Sequence, residues 1–137
     1  ENNPCYNRIM ILLEGPVIRG RGASRTIGFP TANIRYVPDL SLVIERGVWT
    51  AQATIKGARH DAVAVVGVWK QPDGSPSVEV HLYDFDQDLY DQTIQVELLQ
   101  RFKDLTVCPT FEALKQQITS DAAEARRLLN ASSRAPS

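Results

Sequence analysis

The sequence has little of what marks a zinc protein, a disulfide scaffold or a membrane protein. Its 137 residues include two cysteines and two histidines. Cys5 and Cys108 form no CxxC pair, and His60 and His81 lie far apart, so no set of ligands has metal-type spacing. No apolar run reaches the ~18 residues that a membrane-spanning helix needs. We therefore expect no membrane partner, and a single Cys5–Cys108 disulfide stays open.

The chain also lacks an excess of charge of either sign. Its net charge is −1, and 43% apolar with 23% charged residues is ordinary for a globular protein. Nucleic-acid binding would need a basic stripe with interleaved aromatic side chains, so we expect none. The length suits one domain. We predict that this domain covers residues 1–130, that residues 131–137 form a frayed tail, and that the protein is a cytoplasmic monomer. The first residue is Glu1, which leaves an upstream targeting segment open.

Apolar alternation with a period of two predicts short strands along most of the chain. In residues 77–85 the aliphatic side chains alternate with Glu79, His81 and Tyr83, so these three face away from the core. Further strands are predicted at residues 8–14, 16–20, 32–37, 47–57, 58–69 and 93–102, and Gly15 separates the first two of these. After Pro109 the apolar spacing becomes helical, with Thr110 placed to cap the helix. This order predicts a small antiparallel barrel with a helix packed outside.

The richest stretch is GPVIRGRGASRTIGFPTAN, residues 15–33. Its glycines permit positive φ and close backbone approach, and consecutive N–H groups in such a loop can enclose an anion. Three arginines at positions 19, 21 and 25 add guanidinium groups suited to phosphate. No GK[ST] follows, so this is not a Walker A loop. A basic surface loop and a phosphate-binding loop both fit these residues.

The stretch ends in GFPTAN, which places two side-chain oxygens just after a proline. Pro30 fixes its own φ, and the oxygens of Thr31 and Asn33 face the same side if the segment is extended. A hydroxyl and an amide carbonyl are neutral hard ligands that Mg²⁺ accepts when phosphates and waters complete its octahedron. A turn stabilised by Thr and Asn side chains is the alternative.

Together, these segments resemble the riboflavin kinase family. The Gly-rich loop ending in Gly-x-Pro-Thr-Ala-Asn, the strand block SVEVHLYDFDQDLYDQTIQVEL and the helix LKQQITSDAAEARRLL resemble family blocks in the family's order, over nearly the whole chain. The resemblance implies a mainly β fold, a six-stranded antiparallel Greek-key or split β-barrel with a C-terminal α-helix packed outside. It implies transfer of the ATP γ-phosphoryl group to the 5′-hydroxyl of riboflavin, giving FMN and ADP. The loop resembles the free-standing, eukaryotic-type kinases, and 137 residues leave no room for the adenylyltransferase domain of many bacterial relatives.

The same resemblance assigns roles to single residues. Glu79 matches the catalytic glutamate, and a carboxylate close to the acceptor hydroxyl can take its proton. Thr31 and Asn33 would hold the nucleotide with Mg²⁺, or with another divalent ion such as Zn²⁺ or Mn²⁺. His81, on the same face as Glu79, is expected to be structural or supporting. The residues implied for ATP and its phosphates are Arg19, Gly20, Gly22, Ser24, Arg25, Pro30 and Thr31.

The segment before the helix departs from the family pattern Leu-Arg-x-Glu-x-x-Phe, which lies near the flavin. Aligned without gaps from Asp121, Lys103 stands where the family has arginine, whereas a two-residue shift puts Arg101 there. Asp104 is the nearest acid. The predicted flavin-binding residues are therefore Arg101, Lys103, Asp104 and Asp121. A barrel that holds a flavin nucleotide without catalysis is the alternative, but such a carrier has no use for a metal-type pair beside a strand carboxylate.

Overall fold

The computed structural model of the chain describes residues 11–18, 31–38, 43–83, 89, 91–105 and 110–134. Both cysteines and residues 19–30 of the Gly-rich loop lie outside this part. Six strands and one helix follow in order: β1 Ile11–Ile18, β2 Thr31–Ile34, β3 Gly47–Ile55, β4 Ala58–Lys70, β5 Pro76–Leu82, β6 Thr93–Lys103 and α1 Phe111–Arg134. Within the described residues, no helix is both long and apolar enough to cross a membrane.

The strands form a closed barrel in the order β1-β2-β5-β4-β3-β6, and β6 pairs back onto β1. All neighbouring strands are antiparallel. Strands β3, β4 and β5 follow one another, and β2 lies beside β5 instead of β3, which is a Greek-key arrangement. The β3–β4 hairpin turns at Lys56-Gly57, where both residues have positive φ, as a two-residue primed turn requires. The predicted mainly β fold with a C-terminal helix is confirmed.

The predicted division between residues 8–14 and residues 16–20 differs from the structure, because one strand, β1, runs through Gly15 and Pro16. Gly15 permits a close approach of the segment that follows β2, in line with the close backbone approach expected of the glycines in this stretch. A Cβ on Gly15 would lie 2.1 Å from the carbonyl oxygen of Arg35. The Arg35 N–H donates to the Pro16 carbonyl at 3.0 Å, so the chain after β2 continues beside β1 here.

Two other predicted boundaries also differ from the structure. Strand β2 ends at Ile34, short of the predicted residue 37, because the backbone N–H and carbonyl of Tyr36 bond to the buried side chain of Gln71 and not to a neighbouring strand. The Gln71 Oε1 accepts from the Tyr36 N–H at 3.2 Å, and its Nε2 donates to the Tyr36 carbonyl at 3.2 Å. Helix α1 continues to Arg134, into the predicted tail at 131–137. The first residue that opposes a helix there is Pro136, which also disfavours helical geometry at the residue before it.

The core has two parts, one on each side of the barrel wall. The barrel interior is filled by apolar side chains from all six strands, many of them small or β-branched, such as Val17, Ala32, Ala64, Val78, Val80 and Val96. The second cluster joins the outer surface to α1 and contains Val48, Val63, Tyr83, Ala122 and Ala125. The Thr110 hydroxyl accepts from the Ala113 N–H at 3.0 Å, which confirms the predicted cap of α1. The helix thus covers part of the outer surface and leaves the barrel interior to the strands.

Candidate active site

Strands β2 and β5 bring the two polar motifs of the sequence together. In their antiparallel register Asn33 lies opposite Glu79, and Thr31 lies opposite His81. Side chains directly opposite each other in such a pair have Cβ atoms about 4.5–5.5 Å apart. The neighbours of Asn33 and Glu79 along each strand belong to the barrel interior. Because side chains alternate along a strand, Asn33 and Glu79 share the outer face, as the alternation in β5 predicts for Glu79.

Asn33 is buried, at 4% exposure, and its Oδ1 has no hydrogen-bond partner among the described residues. A buried acceptor left in this state costs about 1–3 kcal/mol, so such groups mark places where an external group completes the structure. The oxygen could receive a hydrogen bond from a ligand or bind a cation. Among the described residues no group of three or more His, Cys, Asp or Glu side chains could hold a metal ion. A divalent ion at this site would therefore depend on neutral protein oxygens and on oxygens of the substrate.

Glu79 and His81 form a polar pair along β5. The side chain of Glu79 is 18% exposed, whereas that of His81 is 1% exposed. The Nε2 of His81 lies 3.4 Å from the Oε1 of Glu79. The carboxylate is thus held at the protein surface, beside a buried imidazole. The sequence placed His81 on the same face as Glu79, but the contact between the two side chains appears only in the structure.

Helix α1 borders this face from the side of β4. Val63 of β4 is the register partner of His81, and it packs in the cluster beneath the helix. Tyr83 follows on β5 in the same cluster, and its hydroxyl donates to the carbonyl of Ala122. Burial raises the pKa of Tyr83 to about 12, and the Arg126 guanidinium, 4.8 Å from the ring centroid, opposes this shift. The helix is thereby attached to the strand that carries Glu79.

The residues predicted to face the flavin form two separate ion pairs. Lys103, at the end of β6, places its Nζ 3.0 Å from Oδ1 of Asp121, which is buried on α1. Gln117 also donates to this oxygen, at 2.8 Å. Sequence reasoning did not identify Gln117, although its spacing of four residues from Asp121 on a helix is a visible signal. These contacts attach the end of β6 to the helix.

Arg101 pairs instead with Asp104, and its Nε donates to the carbonyl of Arg46 at 2.7 Å. Asp104 is largely exposed, with 88% of its side chain accessible. The structure therefore brings Lys103, and not Arg101, to Asp121.

The predicted phosphate-binding residues Arg19, Gly20, Gly22, Ser24, Arg25 and Pro30 lie outside the described residues. For Thr31 the structure describes the backbone, which begins β2.

Comparison with known proteins gives one consistent family. A family model described as riboflavin kinase (flavokinase) matches residues 8–129. The bifunctional riboflavin kinase/FMN adenylyltransferase of Haemophilus influenzae is 36% identical over 118 residues, which cover 85% of this chain and 38% of that protein. The chain therefore spans little more than a third of the length of that relative.

Two solved structures share the fold. One is a protein named as a macrolide-efflux protein from Streptococcus pneumoniae, with a TM-score of 0.69 and 33% identity over 80% of this chain and 36% of that chain. The other is riboflavin kinase from Trypanosoma brucei, with a TM-score of 0.59 and 20% identity over 88% of this chain and 80% of that chain. The family model covers most of the sequence, including the strands that carry Asn33 and Glu79. The chain belongs to the riboflavin kinase family.

Proposed function

We propose that this domain transfers the γ-phosphoryl group of ATP to the ribityl 5′-hydroxyl of riboflavin, giving FMN and ADP. The observation that carries the proposal is the register of β2 and β5. It sets the buried amide oxygen of Asn33, which has no hydrogen-bond partner in the part of the chain that the structure describes, opposite the partly exposed carboxylate of Glu79. Phosphoryl transfer needs a site that orients the nucleotide and a group that orients the attacking hydroxyl, and these two side chains supply one of each.

In the proposed reaction Glu79 is the general base. Its carboxylate accepts the proton of the 5′-hydroxyl while the 5′-oxygen forms a bond to the γ-phosphorus. The bond between the γ-phosphorus and the β–γ bridging oxygen breaks, and ADP leaves with that electron pair. A carboxylate with 18% of its side chain exposed can reach a bound hydroxyl and is still partly shielded from water.

A divalent ion is part of the proposal, and the residues present fit it. Asn33 Oδ1 is a buried neutral oxygen that accepts no hydrogen bond from the residues that the structure describes, and together with the hydroxyl of Thr31 it would hold the ion. When bound, Mg²⁺ or another divalent ion such as Mn²⁺ or Zn²⁺ neutralises charge on the phosphates. Asn33 itself orients the nucleotide, because a side chain buried between two strands has a fixed direction. Arg19, Gly20, Gly22, Ser24, Arg25 and Pro30 are proposed to contact the phosphates.

We propose that riboflavin binds near the end of β6 and helix α1. Lys103 and Asp121 are the better candidates, because their ion pair joins β6 to α1. Arg101 and Asp104 form a more exposed pair and are proposed as outer contacts. Riboflavin bound there would place its ribityl chain toward β5, because α1 is attached to that strand through Tyr83.

The test is production of FMN from riboflavin, ATP and Mg²⁺, followed by fluorescence-detected chromatography. The parent is expected to form FMN, and Glu79→Gln to lower kcat by a factor of about 100 or more. Glu14→Gln is the matched control, because Glu14 is also a glutamate on an exposed position of a barrel strand, β1. If the parent binds riboflavin but forms no FMN, the domain is a non-catalytic flavin carrier. If Glu79→Gln is as active as Glu14→Gln, Glu79 is not the base.

We further propose that riboflavin and ATP are its substrates and that it acts as a monomer without nucleic acid. The net charge of −1 supports the last point, because a phosphate-tracking surface needs clustered positive charge. Light scattering coupled to size exclusion should give the mass of one chain with and without both substrates. A dimer mass, or retention of labelled RNA on a filter, would contradict this part of the proposal.

A further inference from the structure

We propose that His81 is a positioning residue for the catalytic carboxylate. Its imidazole contacts one oxygen of Glu79 and thereby directs the other oxygen toward the acceptor hydroxyl. The inference rests on the proposed function, in which Glu79 takes the proton of the riboflavin 5′-hydroxyl. His81 itself contacts neither substrate in this proposal and acts through Glu79.

The first observation is the difference in burial between the two neighbours. The side chain of His81 is 1% exposed and that of Glu79 is 18% exposed, and both lie on the outer face of the barrel. A fully buried polar ring is costly compared with an aliphatic side chain of similar size. The neighbouring outward position on β4, Val63, is aliphatic and packs beneath the helix. Packing alone therefore does not explain an imidazole at position 81, whereas its contact with the carboxylate of Glu79 does.

The second observation is that the imidazole has a fixed position. Strand β5 lies between β2 and β4, and His81 has Thr31 and Val63 as register partners on the two sides. Val63 is held in turn by the helix cluster with Tyr83 and Ala122. A ring enclosed in this way cannot follow a mobile carboxylate. Glu79, which is longer and more exposed, is the partner that adjusts.

The third observation is the distance itself. The Nε2 of His81 and the Oε1 of Glu79 are 3.4 Å apart, longer than an ordinary hydrogen bond of about 2.7–3.2 Å, and the two atoms are in contact without forming a hydrogen bond. Catalytic contacts are commonly long before substrate binds and tighten in the reactive complex. A contact of this kind orients the carboxylate at the moment of reaction. Its loss is therefore expected in kcat and not in KM for riboflavin.

The test is a double-mutant cycle on the full chain with riboflavin, ATP and Mg²⁺. His81→Leu is expected to lower kcat by a factor of about 10 to 100, as for a misplaced catalytic group, with KM for riboflavin changed less than about twofold. His81→Gln is expected to keep most of the activity, because its side-chain amide can donate from nearly the same place as Nε2. In a Glu79→Gln background, His81→Leu is expected to change the residual kcat by less than about twofold, because no carboxylate remains to be positioned.

Controls separate positioning from folding. Val96→Ala, in the barrel interior on β6 and away from His81, is expected to lower the melting temperature and to leave kcat unchanged. If His81→Leu does not fold, the comparison of His81→Gln with His81→Asn carries the test. The shorter amide cannot reach Oε1, so His81→Asn should lose kcat while both variants melt at similar temperatures.

The outcomes distinguish this inference from the proposed function. A parent that forms no FMN overturns both. An active parent with an unchanged His81→Leu overturns the positioning role alone. The same holds if His81→Leu lowers kcat equally in the parent and Glu79→Gln backgrounds, because an additive loss indicates a merely structural residue. Rescue by glutamine together with a non-additive cycle supports the proposal.

Discussion

The substitution Asn33→Leu is expected to raise stability while it abolishes nucleotide binding. The Oδ1 of Asn33 is buried without a hydrogen-bond partner among the described residues, at a cost of about 1–3 kcal/mol. Leucine has nearly the same shape and no acceptor to leave unsatisfied. The free energy of unfolding should therefore rise by about 1–3 kcal/mol, and the melting temperature by roughly 4 °C per kcal/mol.

Gln71 is the matched control, because it is also a buried amide but has its hydrogen bonds satisfied. It accepts from the Tyr36 N–H at 3.2 Å and donates to the Tyr36 carbonyl at 3.2 Å and to the Ser75 hydroxyl at 2.6 Å. Losing three hydrogen bonds at about 1 kcal/mol each should lower the free energy of unfolding by about 3 kcal/mol in Gln71→Leu. Two buried amides replaced by leucine should thus shift stability in opposite directions.

The assay is urea unfolding followed by the fluorescence of the buried Trp49, with and without Mg²⁺ and ADP. A ligand at about 100 times its Kd stabilises the parent by about 2.7 kcal/mol. Asn33→Leu should lose this increment, together with FMN formation. If Asn33→Leu is destabilised as much as Gln71→Leu, the oxygen has a partner in the folded protein and the reasoning fails. If the ADP increment persists, Asn33 is not at the nucleotide site.

Three further substitutions test the fold and its attachment to the helix. Gly15→Ala should lower the free energy of unfolding by about 3 kcal/mol, measured in urea, because the new Cβ would lie 2.1 Å from the Arg35 carbonyl oxygen. Tyr83→Phe should flatten the alkaline end of the stability–pH curve. In the folded chain the pKa of Tyr83 is raised from 10.0 to about 12. The stability that this shift contributes is therefore fully present below pH 10. It is lost as the pH rises from 10 to 12, because Tyr83 loses its proton in the unfolded chain first. Lys103→Met should lower the free energy of unfolding by about 2 kcal/mol, because it leaves Asp121 buried without its cation.

Two of these substitutions, Gly15→Ala and Lys103→Met, have a matched control elsewhere in the chain. A Cβ on Gly57 meets no atom of the described residues within 4 Å, so Gly57→Ala should cost only the ~1 kcal/mol of a positive φ. Arg127→Met removes an exposed ion pair with Glu124 and should not change the melting temperature measurably. Equal losses in the two glycine variants would contradict the close approach of Arg35 to Gly15. Equal results for Lys103→Met and Arg127→Met would show that the helix attachment is not specific.

The pattern of residues correctly predicted the strands whose side chains alternate strictly. In β5 a period of two separates Val78 and Val80 from Glu79 and His81, and this needs no information from elsewhere in the chain. The helix cap at Thr110 was equally local, because it depends on one hydroxyl and the N–H three residues later. Boundaries set by distant groups were predicted less well. The end of β2 depends on Gln71, which lies 35 residues away from Tyr36.

Gly15 illustrates the same limit in another way. A Gly-Pro pair commonly interrupts a regular element, and the sequence therefore divided two short predicted strands at Gly15. The structure uses the missing Cβ to let the Arg35 carbonyl approach within the strand. The glycine at position 15 does have a structural role, but the contact that explains it is with Arg35, which lies in another segment of the chain.

The order of residues is sufficient to show which side chains are chemically able to act and which of them share a face of one strand. Alternation turns Glu79 and His81 outward, and Thr31 and Asn33 carry the oxygens. Only the tertiary structure decided that these two segments meet, because β2 pairs with β5 across more than forty residues and its register sets Asn33 opposite Glu79. A register between distant strands depends on how the whole barrel closes, from β1 onto β6, and no single segment contains that information.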